Sequence, residues 1–134
     1  MLEKIKIKKL NKKVDDRGWF LKILDGTEEF RKNLIGDLYF VYSQDGGIRG
    51  NHYHKITNEW FCLIKGNCEL YLKDIETNIE IKIKLTENEP VLVFVPNMIA
   101  HTFHNILKED FIVMAITDQL FDTNDTLKYD LINN

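Results

Sequence analysis

Residues 46–66 read GGIRGNHYHKITNEWFCLIKG, and no other stretch of the chain constrains the architecture so tightly. Gly46 is followed after five residues by His52-x-His54, after four more by Glu59, and after six more by Gly66. In an extended strand, side chains at i and i+2 share a face. His52 and His54 therefore point the same way, about 7 Å apart along the strand. A short turn through Thr57 and Asn58 can return the chain so that Glu59 faces both imidazoles. Two neutral imidazoles and a carboxylate make most of a shell for a borderline divalent metal. A fourth ligand has to come from elsewhere, and the remaining histidines are His101 and His104.

Around this stretch the chain alternates at a period of two. Ile5 and Ile7 alternate with lysines, and strands are predicted at 37–42, 60–64, 69–73, 79–85, 91–95 and 111–116. The Gly66 turn joins 60–64 to 69–73 as a hairpin, and turn residues cluster at 45–47, 75–78 and 87–90. Many short strands at this rhythm specify an all-β sandwich or barrel. One helical segment of about two turns is expected over Thr27–Leu34. No repeat or low-complexity linker interrupts the chain, so residues 1–134 are expected to form a single domain. The tail from Asp118 to Asn134 is polar with spaced aromatics and leucines. It is expected to pack outside the barrel or to reach a partner subunit.

Composition narrows the function classes. A formal net charge of −3 argues against a nucleic-acid surface. No apolar run approaches the roughly 18 residues of a membrane span. The opening MLEKIKIKKLNKK has no apolar core of a secretory signal, so a cytoplasmic protein with no membrane partner is expected. Cys62 and Cys68 flank Gly66 and could face each other across the hairpin, but without an export signal they are expected to stay reduced. The lysines between Lys4 and Lys13 are expected to form a solvated strand edge that discourages edge pairing.

The Gly46–Gly66 pattern resembles the first motif of the cupins. Residues 96–105, PNMIAHTFHN, resemble the second, Pro-x-Gly-x-x-His-x-x-x-Asn. The resemblance implies an all-β cupin fold, a double-stranded β-helix or jelly-roll barrel. It makes His101 the fourth metal ligand beside His52, His54 and Glu59, and leaves His104 at the surface or behind the site. Met98 stands where the motif has glycine, which predicts a less sharp turn. The implied cofactor is a divalent metal, zinc first, although three nitrogens and one oxygen also suit iron, manganese or nickel. A barrel lined by the same histidines without metal stays open as an alternative.

A narrower resemblance rests on Asp16-Arg17-Gly18-Trp19-Phe20 and Arg49-Gly50-Asn51-His52-Tyr53-His54. Both are similar to the sugar-nucleotide cupins related to dTDP-4-dehydrorhamnose 3,5-epimerase. Arg49 to His54 and Asn58-Glu59 resemble most closely the C-terminal cupin domain of the bifunctional capsular polysaccharide reductase–epimerase. Val95 to His101 and Phe121-Asp122-Thr123-Asn124-Asp125 extend that likeness over most of the chain. No segment like GxGxxG is present, so the hydride chemistry of such reductases is not expected. The sugar-nucleotide 3,4-ketoisomerases share Arg-Gly-x-His-x-His but usually carry a non-acidic residue near position 59. Glu59 therefore favours the metal-keeping epimerase type.

The resemblance implies a nucleotide-linked 4-keto-6-deoxyhexose as substrate, in surface polysaccharide synthesis. Its protons at C3 and C5 are α to a carbonyl. Removing one gives an enolate; reprotonation from the other face inverts the centre, and carbonyl migration through an enediol makes a ketoisomerase instead. Such chemistry needs a base, an acid, and a positive group near the developing oxyanion. The implied base is His52, with Tyr39 or Tyr53 as the acid. The implied substrate-binding residues are Arg49 and Arg17, whose planar forks suit phosphates. Only three arginines stand against fifteen lysines, and two of them fall in these Arg-Gly pairs. A histidine whose lone pair holds a metal cannot also take a proton, so His52 is either ligand or base. A homodimer is expected. The alternatives are a 3,4-ketoisomerase and a non-catalytic metal-binding cupin that holds a sugar or a partner enzyme. An iron dioxygenase would use the same ligands but has no use for the two arginines.

Overall fold

The computed structural model describes residues 3–33 and 36–133. Its strands are β1 (Lys6–Lys9), β2 (Lys12–Asp15), β3 (Gly18–Leu21), β4 (Leu38–Ser43), β5 (Arg49–Tyr53), β6 (Glu59–Lys65), β7 (Asn67–Asp74), β8 (Glu80–Thr86), β9 (Val91–Val95), β10 (Ile99–His104), β11 (Phe111–Thr117) and β12 (Leu127–Lys128). One five-stranded sheet runs β1-β9-β6-β11-β4 and a second runs β12-β5-β10-β7-β8. All these pairings are antiparallel. The two sheets face each other as the expected jelly-roll barrel, and β2 and β3 form a separate hairpin.

Burial follows the side-chain pattern. β7 alternates between buried and half-buried positions, as a strand with one face on the core must. β6 reads as a continuous apolar run because both of its faces are covered. Phe61 and Leu63 point between the sheets with Leu70, Leu72, Val93 and Phe103. Trp60 and Cys62 point outward, under Leu10, Leu21, Ile23 and Phe30 of the N-terminal segment. Cys62 and Cys68 thus belong to different apolar clusters, and both are free thiols. The expected hairpin between them is also absent: β6 pairs with β9 and β11 and β7 with β8 and β10, so the chain crosses from one sheet to the other at Gly66.

Several expectations are corrected. The segment from Thr27 is a 3-10 turn over Glu29–Asn33, not two α-helical turns, and Leu34 lies outside the described residues. Tertiary packing shapes it: the Phe30 ring stacks on Trp60 with centroids 4.6 Å apart. The lysine-rich N-terminus is divided between the exposed edge strand β1 and the β2–β3 hairpin. Met98 takes the conformation a glycine would, with φ +64, so the turn is as sharp as the motif requires. Hydrogen bonds hold it there, from Met98 N to His54 O (2.7 Å) and from Ile75 N to Met98 O (3.0 Å). The C-terminal tail packs on its own barrel: β12 pairs with β5, and Asn51 Oδ1 accepts from the Leu131 and Ile132 amides. Among the described residues no helix is long and apolar enough to cross a membrane.

Candidate functional site

β5 and β10 are neighbours, with His101 directly opposite His52. The register shifts just beyond, between His101 and Thr102. Gly50 allows that approach. Its φ is +115, and a Cβ there would lie 2.7 Å from the His101 carbonyl oxygen, well inside ordinary contact. The chain leaves β5 through His54, turns over residues 55–58, and re-enters the barrel as β6 at Glu59. The imidazole centroids lie 4.8 Å (His52–His101), 5.2 Å (His52–His54) and 5.6 Å (His54–His101) apart. One ligand atom from each of His52, His54, Glu59 and His101 falls within 4.8 Å of the others. The structure thus brings all the sequence-predicted metal ligands together. His104, at the end of β10, stays outside the cluster.

The donor chemistry fits a cation. His54 Nδ1 lies 2.7 Å from the Asp125 carbonyl oxygen, and His101 Nδ1 lies 3.2 Å from that of Ile99. A carbonyl only accepts, so both Nδ1 atoms carry hydrogen and the lone pairs of the neutral rings sit on Nε2. Those two Nε2 atoms stand 2.6 Å (His54) and 3.3 Å (His101) from Glu59 Oε1. Glu59 is 1% exposed, and no well-directed hydrogen bond reaches Oε1. A buried carboxylate oxygen facing nitrogen lone pairs is a repulsive arrangement unless protons or a metal ion intervene. Ligands held about 2.1 Å from one ion lie at most roughly 4.2 Å apart, so the cluster needs only a small contraction to hold zinc.

The ionisation states follow from the same contacts. Burial pushes Glu59 toward its neutral form, but the neighbouring His101 and His54 outweigh burial and hold it well below the usual carboxylate range. Burial also disfavours the charged form of His54, yet Glu59 wins and its pKa is raised. Burial, then His101 and His54, lower His52 to about 4, so it is a neutral imidazole at physiological pH. Among the described residues no carbonyl or carboxylate orients the His52 ring by a hydrogen bond, unlike the other two.

The cluster sits in a cavity of about 550 Å³, within the range of small-molecule sites. Buried Phe61 and Phe103 line it together with Val113 and Ala115, and exposed Arg49 and Phe121 stand at its more open side. Among the described residues Arg49 is the only lysine or arginine lining it, and no carboxylate ion-pairs with it. Tyr39 also lines the cavity, but its hydroxyl donates to Glu59 Oε2 at 3.1 Å. Burial and the Glu59 charge push its pKa well up.

Two predicted residues are elsewhere. Tyr53 faces away from the cavity, because the alternation that turns His52 and His54 inward turns the residue between them outward; its ring lies 6.3 Å from that of Tyr129. Arg17 occupies the β2–β3 turn, is 86% exposed, and pairs with Asp15 at 2.6 Å. It does not line the cavity of its own chain. Other residues at the site had no local signal. Asp118 accepts from the Asn58 backbone and side-chain amides at 2.9 and 2.8 Å, and Asn58 Oδ1 accepts from Asn97 N at 2.9 Å. The two motifs are thereby tied to each other and to the strand end after β11.

Comparison with known proteins is consistent with this geometry. The chain is 27% identical over 108 residues to the spore coat polysaccharide biosynthesis protein SpsL of Bacillus subtilis (strain 168), covering 77% of this chain and 71% of that protein. The fold is shared with a dTDP sugar isomerase from Desulfovibrio desulfuricans G20 (TM-score 0.84, 16% identity, 94% of this chain and 83% of that one). It is also shared with a 3,4-ketoisomerase from Helicobacter canadensis (TM-score 0.75, 20% identity, 92% and 90%). A third structure is ChmJ, a 3'-monoepimerase from Streptomyces bikiniensis in complex with dTDP (TM-score 0.79, 14% identity, 92% and 68%). Residues 13–129 match the family described as the polysaccharide biosynthesis C-terminal domain, and to that family the chain belongs.

Proposed function

We propose that the protein is an isomerase: a nucleotide-sugar epimerase that acts at C3 and/or C5 of a 4-keto-6-deoxyhexose through an enolate, in surface polysaccharide biosynthesis. The observation that carries this is the pairing of an uncommitted guanidinium, Arg49, with the His52/His54/Glu59/His101 cluster in one largely apolar cavity. A nucleoside diphosphate needs a planar cation, and the sugar needs a proton-transfer centre a few ångströms further in. The name of SpsL supports a place in polysaccharide biosynthesis, and the dTDP sugar isomerase and the dTDP-bound 3'-monoepimerase support the nucleotide-sugar class.

Arg49 binds the phosphates at the cavity mouth, and Phe61 and Phe103 exclude water from the sugar. His54, His101 and Glu59, with His52, would hold a divalent ion, zinc by preference. Such an ion supplies Lewis acidity to an oxygen that gains charge as the enolate forms. His52 has the choice of two roles. Its neutral ring, with no hydrogen bond fixing it, can complete the ligand set or accept the sugar proton. Tyr39 is the acid that remains in the cavity, with Glu59 as its partner. A cytoplasmic homodimer completes the proposal, supported by the apolar residues Leu38, Phe40 and Tyr42 left exposed on the edge strand β4. A 3,4-ketoisomerase is the second candidate, because a protein of that activity shares the fold over nearly its full length.

The test is turnover of a panel of dTDP- and UDP-linked 4-keto-6-deoxyhexoses, with products identified by NMR. Inversion at C3 or C5 marks the epimerase, and a 3-keto product the ketoisomerase. Arg49→Ala is expected to weaken substrate binding roughly 10–100-fold, the loss of one charge-assisted contact. Unchanged affinity would remove Arg49 from the site and favour a non-catalytic binding protein.

A further inference from the structure

Asp125 ends the Phe121–Asp125 stretch singled out in the sequence and lies in the short 3-10 turn Thr123–Asp125, only 6% exposed. Every hydrogen bond of its carboxylate goes to the loop between the histidines and Glu59. Oδ1 accepts from Lys55 N (2.8 Å) and Ile56 N (3.0 Å), and Oδ2 accepts from Thr57 N (2.9 Å) and Thr57 Oγ1 (2.7 Å). Its own carbonyl oxygen lies 2.7 Å from His54 Nδ1. One residue therefore holds three successive backbone N–H groups and the ring that precedes them. Asp118 takes the next amide, that of Asn58. The loop from 55 to 58 is thus fastened at every N–H to carboxylates of the C-terminal segment.

We infer that Asp125 is a positioning residue: by anchoring the loop with its carboxylate it keeps its carbonyl on His54 Nδ1, and so favours hydrogen on Nδ1 and sets the aim of His54 Nε2 toward Glu59. The Lys55, Ile56 and Thr57 amides all donate to Asp125 rather than to acceptors of the loop itself, and His54 lies beyond the end of β5, so no strand pairing sets its ring. The carbonyl favours the neutral tautomer with hydrogen on Nδ1 and the lone pair on Nε2, against Glu59 Oε1, which stands 2.6 Å from Nε2 and draws the hydrogen the other way. The carboxylate and the carbonyl belong to one residue, so shifting the first moves the second. The consequence for metal affinity rests on the proposed metal site; the consequence for the tautomer does not.

The test is Asp125→Asn, which keeps the shape but turns an amide donor toward backbone donors. Two readouts are taken: the His54 ring nitrogens by 15N NMR on the metal-stripped protein at alkaline pH, where the ring is neutral, and zinc affinity by chelator competition. The wild type is expected to hold a larger share of hydrogen on Nδ1 than the variant does. The folded variant is expected to shift hydrogen from Nδ1 to Nε2 and to lose zinc affinity roughly 10–100-fold, the usual effect of disturbing a ligand's hydrogen-bond partner. A folded variant with an unchanged tautomer and unchanged zinc affinity would overturn the inference. If Asp125→Asn does not fold, Thr57→Val, which deletes only the hydroxyl bond, decides by the same readouts: a smaller change in the same direction supports the role, and none overturns it. If the wild type binds no zinc, the metal site fails and the tautomer alone decides on Asp125.

Discussion

Glu59 and His54 face each other at 2.6 Å inside a barrel that excludes most water, and that pair sets the electrostatics of the cavity. His54 is raised above its ordinary value of 6.5 despite burial, because Glu59 stabilises the imidazolium. In the metal-free protein it therefore adds stability that is present below 6.5 and is lost as pH rises through the folded value. A metal must displace that proton. Zinc affinity is expected to fall about tenfold per pH unit below the folded pKa of His54, with one proton released per ion. Calorimetry in buffers of different ionisation enthalpy measures this, and a pH-independent affinity would contradict it. His52 behaves oppositely. Burial lowers it to about 4, so its NMR titration in the metal-free protein should have a midpoint near that value, while that of His54 lies above 6.5.

At the scale of elements, the decisive contact is β5 against β10. Gly50→Ala would place a methyl 2.7 Å from the His101 carbonyl at a backbone φ of +115. It is expected to cost roughly 2 kcal/mol of stability and to separate His52 from His101. Thermal unfolding and zinc stoichiometry read the two effects, and a fully stable, zinc-binding variant would show that the approach is not tight. Elements were legible where their information is local. Period-two patterning located β6 to β9 and β11 to within a residue or two, and the spacing of His52, His54, Glu59 and His101 located the cluster. The same alternation should have excluded Tyr53, which lies between two inward histidines. Arg17 followed the motif into the site, but a two-residue hairpin turn gives it Asp15 as its partner instead. Asp125 stands out in the sequence only as the end of the Phe121–Asp125 likeness, and the roles of Asp118 and Asp125 could not be read, since their partners lie 60 to 71 residues earlier and only the closed barrel brings them together.

Over the whole molecule, the jelly roll divides its work between two sheets. The sheet containing β5 and β10 carries the histidines, and the sheet containing β6 and β4 carries Glu59 and Tyr39. The candidate site exists only where they face each other, which is why its polar cluster lies deep and its one arginine lies at the rim. That division suits a substrate with a charged, solvated end and a sugar that reacts out of water. The most direct measurement is deuterium incorporation from D2O into nucleotide-linked 4-keto-6-deoxyhexoses, followed by NMR, with and without chelator. Enzyme-dependent exchange at C3 or C5 that is lost with chelator is the expected result. Measurable nucleotide-sugar binding with no exchange at either carbon would contradict an enolising enzyme and leave a binding protein.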